Sequence, residues 1–174
     1  RAISLRPEHI SLYNLTIEEG TPFWQQQQQG NLSLPDEDTQ LTMYETGITA
    51  LRNAGYEHYE ISNFARPGYR SQHNQIYWKN EEYLGLGPGA YSYLKGKRYW
   101  NFSDLDLYTA SCLDGHLAIA GEEQLDLFST MGETIIMNLR MLEGIDMRAF
   151  ESRFGYTLES LYAESINKLL ALKL

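Results

Sequence analysis

The feature that most constrains this chain is a helical pattern held between two strand-like runs. Leu41, Tyr44, Ile48 and Leu51 recur at three- and four-residue spacing, with Pro35 and the acids Asp36, Glu37 and Asp38 before them and Gly55 after. Proline in the first turn, carboxylates at the positive end of the dipole and a terminal glycine predict a helix with its own start and stop. The run before it, His9 to Glu18, has Ile10 and Leu12 on one side and Tyr13, Leu15 and Ile17 on the other. Apolar residues on both faces predict a strand covered on both sides, as in a parallel sheet. Glu18, Glu19, Gly20 and Thr21 then form the loop beyond its carboxyl end, the place where α/β proteins hold ligands. The run after the helix, Tyr56 to Phe64, reads as a second strand ending in the turn Ala65, Arg66, Pro67, Gly68. Strand, helix and strand together make a βαβ unit.

Beyond that unit the pattern changes twice. From Tyr69 to Trp100 the chain is rich in glycine and aromatics. Gly85, Gly87 and Gly89 recur every second residue around Pro88, which is neither a P-loop nor a dinucleotide fingerprint. Such glycines admit something flat or bulky close to the backbone. Tyr91, Tyr93 and Leu94 continue as a strand that Gly96 turns back towards Arg98 and Trp100. From Asp104 onwards helices dominate. Leu105, Tyr108 and Cys112 share one face of a short helix, and Leu125, Phe128, Met131, Ile135, Leu139 and Leu142 one face of a longer helix closed by Gly144. Met147, Phe150 and Phe154, then Leu158, Leu161, Tyr162, Ser165, Ile166 and Leu169, mark two more, divided at Gly155. The expected organisation is α/β over residues 1–100 and helical over 101–174. The glutamines Gln25 to Gln29, next to Trp24, read as an exposed helix end.

Composition removes several classes of function. With 43% hydrophobic and 21% charged residues in 174, the chain has the balance of a soluble domain with a real core. Its apolar runs fall far short of the roughly 18 to 20 residues of a spanning helix. Fourteen basic against 23 acidic residues give a net charge of -9, which opposes a phosphate backbone, so no nucleic-acid partner is expected. One cysteine, Cys112, allows no internal disulfide, no cysteine zinc site and no complete iron–sulfur site, and suits a reducing, cytoplasmic setting. No signal peptide precedes the first strand, and an initial Arg1 suggests a piece of a longer chain.

The densest cluster of chemically capable residues is His73, Asn74, Tyr77 and Trp78. Imidazole ligates metals and carries protons near neutral pH, while the rings can stack on a planar ligand. The same residues also suit an irregular segment whose aromatics plug the core. His9, His58 and His116 have no partner at metal-ligand spacing and are expected to be structural or exposed. Cys112, with Leu105 and Tyr108, is expected in the core. Glu57 and Glu60 point to opposite faces of a strand, so they make no acid–base pair. Glu133, on a largely apolar helix, is a candidate ion-pair partner for Arg140 or Arg98.

Taken together, HISLYNLTIEEGTPF, YEHYEISNFARPGYRSQHNQIYW and YLGLGPGAYSYLKGKRYWN resemble the oxygen-independent coproporphyrinogen III oxidase-like radical SAM proteins, and within them the HemW-type haem chaperones. GETIIMNLRMLEGIDMRAFESRFG is similar to the family's small carboxyl-terminal domain. The resemblance implies the last βα units of an incomplete (β/α) barrel followed by that helical domain. It also implies S-adenosylmethionine and a [4Fe–4S] cluster on a C-x-x-x-C-x-x-C loop in the parent protein. That loop is absent from this sequence, so the chain alone is expected to be catalytically silent. HNQIYW matches the family's HNxxYW motif, which implies haem binding with His73 as iron ligand and Asn74, Tyr77 and Trp78 shaping its pocket. Leu15 and Tyr91 fall where the true oxidases contact S-adenosylmethionine, with Tyr13 beside the same strand end, although Tyr91 stands where HemW-type sequences usually carry histidine. The implied function is binding haem and delivering it to haem-accepting apoproteins, and the alternative is oxidative decarboxylation of coproporphyrinogen III. HNQIYW and SNFARPG favour the chaperone. A winged-helix nucleic-acid domain over 101–174 is a third reading that the acidic balance opposes. Unpaired strand edges predict a homodimer or aggregation.

Overall fold

A computed structural model describes residues 1–173, which form two compact units, Arg1–Ser71 and Gln72 onwards. The first contains β1 (His9–Ser11), α1 (Pro22–Gln28), α2 (Glu37–Asn53), β2 (Glu57–Glu60) and β3 (Asn63–Ala65). Local chemistry sets the helices. Thr21 caps α1 by accepting from the Trp24 amide at 3.2 Å, and Asp36 caps α2 by accepting from Thr39 at 2.7 Å. Pro35 therefore lies before the cap and not in the first turn. Gly55, with φ of +84°, supplies the left-handed stop after Asn53 and Ala54. The glutamines lie exposed on α1, as expected.

The sheet differs from the expected parallel arrangement. Its order is β1-β3-β2, with β3 antiparallel to both neighbours. β1 and β2 consequently run in the same direction, as a βαβ unit requires, but β3 is inserted between them. The run from Tyr56 to Phe64 is thus two strands and not one. It reverses at Ile61 and Ser62, where the Glu60 carboxylate accepts the Ser62 amide at 2.8 Å and Asn63 returns opposite Glu60. β1 stops at Ser11 because β3 offers only three residues to pair with; Leu12 adds one bond to the Ser62 carbonyl at 2.8 Å. The core under this sheet is Leu51, Tyr56 and Phe64, packed by Ile3, Ile10, Leu12 and Ile48. A Cβ on Gly47 would lie 2.5 Å from Leu12, so glycine lets α2 approach this closely.

The second unit contains α3 (Gln72–Trp78), β4 (Tyr91–Leu94), β5 (Lys97–Asn101), α4 (Leu105–Leu113), β6 (Ile119–Gln124), α5 (Leu127–Asn138), α6 (Met147–Phe154) and α7 (Leu158–Ala171). β4, β5 and β6 make an antiparallel meander. Lys95 and Gly96, at φ of +52° and +73°, form its first reversal, where two left-handed residues match the strand twist. β6 lies inside the stretch expected to be all helical. Its sequence, IAGEEQ, looks unlike a strand, but the acids face basic partners: Arg98 to Glu123 at 3.2 Å and Lys97 to Glu122 at 2.9 Å. Gly121 sits opposite Trp100, and a Cβ there would collide with the indole.

The helices close on Met131, Phe150 and Leu158, backed by Ile135, Ile145, Phe154, Leu161 and Ile166. The face expected on α5 is narrower than its periodicity suggested. Met131, Thr130 and Thr134 are buried, whereas Phe128, Leu139 and Leu142 are exposed, and the helix ends at Asn138 well before Gly144. Cys112 and Leu105 are also exposed, which corrects the expectation of a core cysteine. α4 buries none of its residues, and α5 buries only those that meet α3 and the Phe150–Leu158 cluster. Glu133 pairs with Arg98 at 2.6 Å, one of its two expected partners. No helix among the described residues is long and apolar enough to cross a membrane.

Candidate functional site

The HNQIYW residues form helix α3, not an irregular segment. Its end is set by Asn80, which adopts φ of +50°. The Asn80 amide bonds to the Tyr77 carbonyl and the Glu81 amide to the Ile76 carbonyl, both at 2.9 Å. This is the paired closure of a Schellman motif with asparagine in the left-handed position. The Asn80 side chain is buried and donates from Nδ2 to Thr134 Oγ1 at 2.9 Å. Asn138, one turn further along α5, donates to the Trp78 carbonyl at 2.9 Å. The Arg140 guanidinium lies 4.2 Å over the Trp78 ring. Three contacts therefore seat the carboxyl-terminal end of α3 on and beside α5.

Helical spacing sorts the motif into two pairs. His73 and Tyr77, four apart, share one face, with rings edge-on at 4.8 Å. Tyr77 in turn meets Tyr83 edge-on at 4.6 Å, and Tyr83 exchanges two backbone bonds of 2.9 Å with Tyr93 in β4. Burial, reinforced by Tyr77, raises the Tyr83 phenol above its usual range. His73 itself is exposed on the first turn of α3. Asn74 and Trp78 share the neighbouring face and are half-buried. One face of Trp78 is occupied by Arg140, and its buried indole Nε1–H has no hydrogen-bond acceptor among the described residues. The arrangement is an imidazole at the surface, braced from behind by a chain of aromatic rings.

The other expected site residues are placed as follows. Tyr13 and Leu15 lie in the irregular stretch after β1 in the first unit, both exposed. Tyr91 opens β4 in the second unit, exposed and stacked on Trp100 at 5.7 Å. The glycine-rich loop before it is held by protein groups: Gly85 donates to Ser92 Oγ at 2.9 Å, Gly87 to the Tyr108 hydroxyl at 3.2 Å, and Asn101 donates to the Gly87 carbonyl at 2.9 Å. A Cβ on Gly85 would overlap the Tyr91 carbonyl, so the close approach there is by the chain's own backbone.

The remaining histidines are structural or exposed, as expected. His58 stacks on Phe64 at 4.2 Å and bonds to the Ile61 carbonyl at 3.2 Å. His9 bonds to the Tyr59 hydroxyl at 2.8 Å, and burial holds its pKa below the usual value, with the charge of Glu60 opposing. His116 is exposed. Glu57 pairs with Arg70 at 2.9 Å, while Glu60 is buried and accepts from Ser62 and Asn63. The two carboxylates thus belong to different contacts. Sequence reasoning missed Asn80, Thr134, Asn138 and Arg140. Asparagine two residues past a helical motif is a left-handed-cap signal that points to Asn80; the others are visible only once α3 and α5 are packed. A groove of about 880 Å³ opens beside the same end of α3, with Lys79, Thr134, Asn138 and Met141 among its walls, and His73 is not part of it.

Comparison with known proteins agrees with the motif. Residues 129–174 match the family model described as the HemN C-terminal domain. The heme chaperone HemW of Lactococcus lactis is 40% identical over 172 residues, covering 99% of this chain and 45% of that protein. This chain is related to the HemW-type proteins. The HemW of Bacillus subtilis is 32% identical over 97% of this chain and 44% of its own length. A mitochondrial radical S-adenosyl methionine domain-containing protein 1 from Mus musculus is 54% identical over 84 residues, 48% of this chain and 19% of that protein. Among solved structures, the radical SAM enzyme coproporphyrinogen III oxidase (HemN) of Escherichia coli matches with a TM-score of 0.69 over 99% of this chain and 42% of that one. At 18% identity that likeness shows the fold alone. The chain spans less than half the length of these HemW relatives. The expected mixed α/β fold is borne out, with the strand pairing and the all-helical reading around β6 corrected as above.

Proposed function

We propose that this chain is the haem-binding, carboxyl-terminal part of a HemW-like haem chaperone, which holds haem and delivers it to apoproteins. The observation that carries this reading is His73: an exposed imidazole on the first turn of α3, in a chain whose HemW relative is 40% identical over nearly its whole length. Imidazole is a common axial ligand of haem iron. Tyr77, edge-on to His73, restrains the ring, and Asn74 and Trp78 line the adjoining face. The coproporphyrinogen oxidase alternative has only the fold behind it.

In this reading Tyr13, Leu15 and Tyr91 contribute to an S-adenosylmethionine site of the longer protein. Residues 1–100 correspond to the last barrel units and 101–174 to the helical domain. A [4Fe–4S] cluster does not fit the residues of this chain: Cys112 is its one cysteine, and no group of three His, Cys, Asp or Glu among the described residues is placed to hold a metal. The cytoplasm and a homodimer complete the proposal, the former from the single free cysteine and the latter from the unpaired outer edges of β1 and β2.

The test is a haem titration followed in the Soret region, comparing the wild type with His73→Ala. A saturable Soret shift that the substitution abolishes is the expected result. Equal binding by both proteins, or none by the wild type, refutes the assignment.

A further inference from the structure

We infer that Asn80 is a positioning residue for the haem site, acting through the clamp it forms with Thr134; this rests on the proposed role of His73 as haem ligand. Helix α3 has only seven residues, too few to be stable alone, because the first turn fixes several residues for one hydrogen bond. Its orientation must come from what holds it. At its carboxyl-terminal end Asn80 does two things at once. Its backbone closes the helix in the left-handed conformation, and its side chain reaches Thr134 at 2.9 Å in the interior. Thr134 in turn donates to the Thr130 carbonyl at 2.7 Å, so its hydroxyl proton is committed and its oxygen faces Asn80 as an acceptor. The side chain therefore ties the end of α3 to the middle of α5, and Asn138 repeats the tie at the Trp78 carbonyl.

A short helix held at one end presents its other end in a defined direction. His73 stands at that other end, and the Tyr77–Tyr83 contact damps sideways motion between them. Without the clamp, α3 samples other orientations and only a fraction of molecules offers His73 correctly. The apparent affinity falls by that fraction, while the ligand set in the bound state stays the same. One buried neutral hydrogen bond corresponds to a factor of about five in such an equilibrium.

Asn80→Gly separates the two roles of the residue. Glycine adopts the left-handed cap at no cost, so helix termination survives while the link to Thr134 is lost. The measurements are the haem dissociation constant, the induced circular dichroism of the Soret band and amide hydrogen exchange of α3 in the 174-residue chain. Asn80→Gly is expected to weaken haem binding by a factor of up to about five, keep the Soret maximum, reduce the induced dichroism and speed exchange in α3, with an unchanged far-ultraviolet spectrum. Adding Thr134→Val to Asn80→Gly is expected to cause no further loss of affinity, since the bond is already gone. Thr134→Ser, which keeps the hydroxyl, is expected to bind as the wild type does. If the wild type binds haem through His73 and Asn80→Gly binds equally well with unaltered dichroism, the positioning role is wrong. If the wild type binds no haem, the reading of His73 falls first and the haem-positioning role with it. Hydrogen exchange unchanged by Asn80→Gly removes the clamp itself.

Discussion

Met131 and Phe128 lie three residues apart on one face of α5 and have opposite environments, so truncating each measures how much of that face is inside. Met131 is 0% exposed against Phe150 and Leu158, and Phe128 is 67% exposed. Met131→Ala removes three buried heavy atoms, about 2 kcal/mol of transfer free energy at roughly 0.8 kcal/mol per methylene. The unfilled space adds to that at ~24 cal/mol per Å³, giving about 3 kcal/mol in all. A unit of this size has on the order of 5–15 kcal/mol to lose. The midpoint should fall by roughly 10–20 °C. Phe128→Ala forfeits about a third of the usual Phe→Ala effect, roughly 1 kcal/mol, and alanine's better helix propensity returns about half of that. The assay is urea and thermal unfolding read by tryptophan fluorescence, to which Trp78 and Trp100 in the same unit contribute. Equal losses for the two variants, or a larger one for Phe128→Ala, would refute the assignment of the buried face.

Glycine offers a second contrast in sign. Gly85→Ala should destabilise by about 1–3 kcal/mol and alter the near-ultraviolet dichroism of the Tyr91–Trp100 stack, because the new Cβ meets the Tyr91 carbonyl, a backbone group that cannot step aside. Gly132→Ala in α5 meets open space and should raise the midpoint by gaining helix propensity. A stabilised Gly85→Ala would show that the loop does not approach β4 as described. His9 sets a pH dependence. Its folded pKa lies below its unfolded value near 6.5, so the unfolded chain binds the proton more readily. That contribution is fully present above about pH 6.5 and is lost as pH falls through the folded pKa. The urea midpoint of the wild type should therefore drop more steeply below pH 6.5 than that of His9→Gln, and parallel curves would count against a half-buried neutral His9.

Several features were legible along the chain because their causes are local. A helix start depends on residues a few positions apart, so Pro35, the acids Asp36, Glu37 and Asp38 and the terminal Gly55 announce α2 without any partner, although the cap itself falls on Asp36. The Gly96 reversal, the HNQIYW cluster and the single cysteine are legible in the same way, and the motif carried the family resemblance. The sheet was not, because strand identity lies in the neighbour. Tyr56 to Phe64 reads as one strand until Glu60 turns back to bind the Ser62 amide, and IAGEEQ reads as no strand until Lys97 and Arg98 face its acids.

Burial on α5 shows the same division. Phe128, Met131 and Leu139 obey one helical period, but only packing against α6 and α7 decides that Met131 goes inside and the other two stay in water. At the candidate site the imidazole, the amide and the rings are readable from residue types, and their division into two faces follows from helical spacing. What holds α3 in place is not readable there. Asn80 lies 54 residues from Thr134, and the bond between them exists only because tertiary packing brings α3 onto α5. Backbone preference acts over a few residues, whereas hydrogen bonds and burial act across whatever distance the fold has closed.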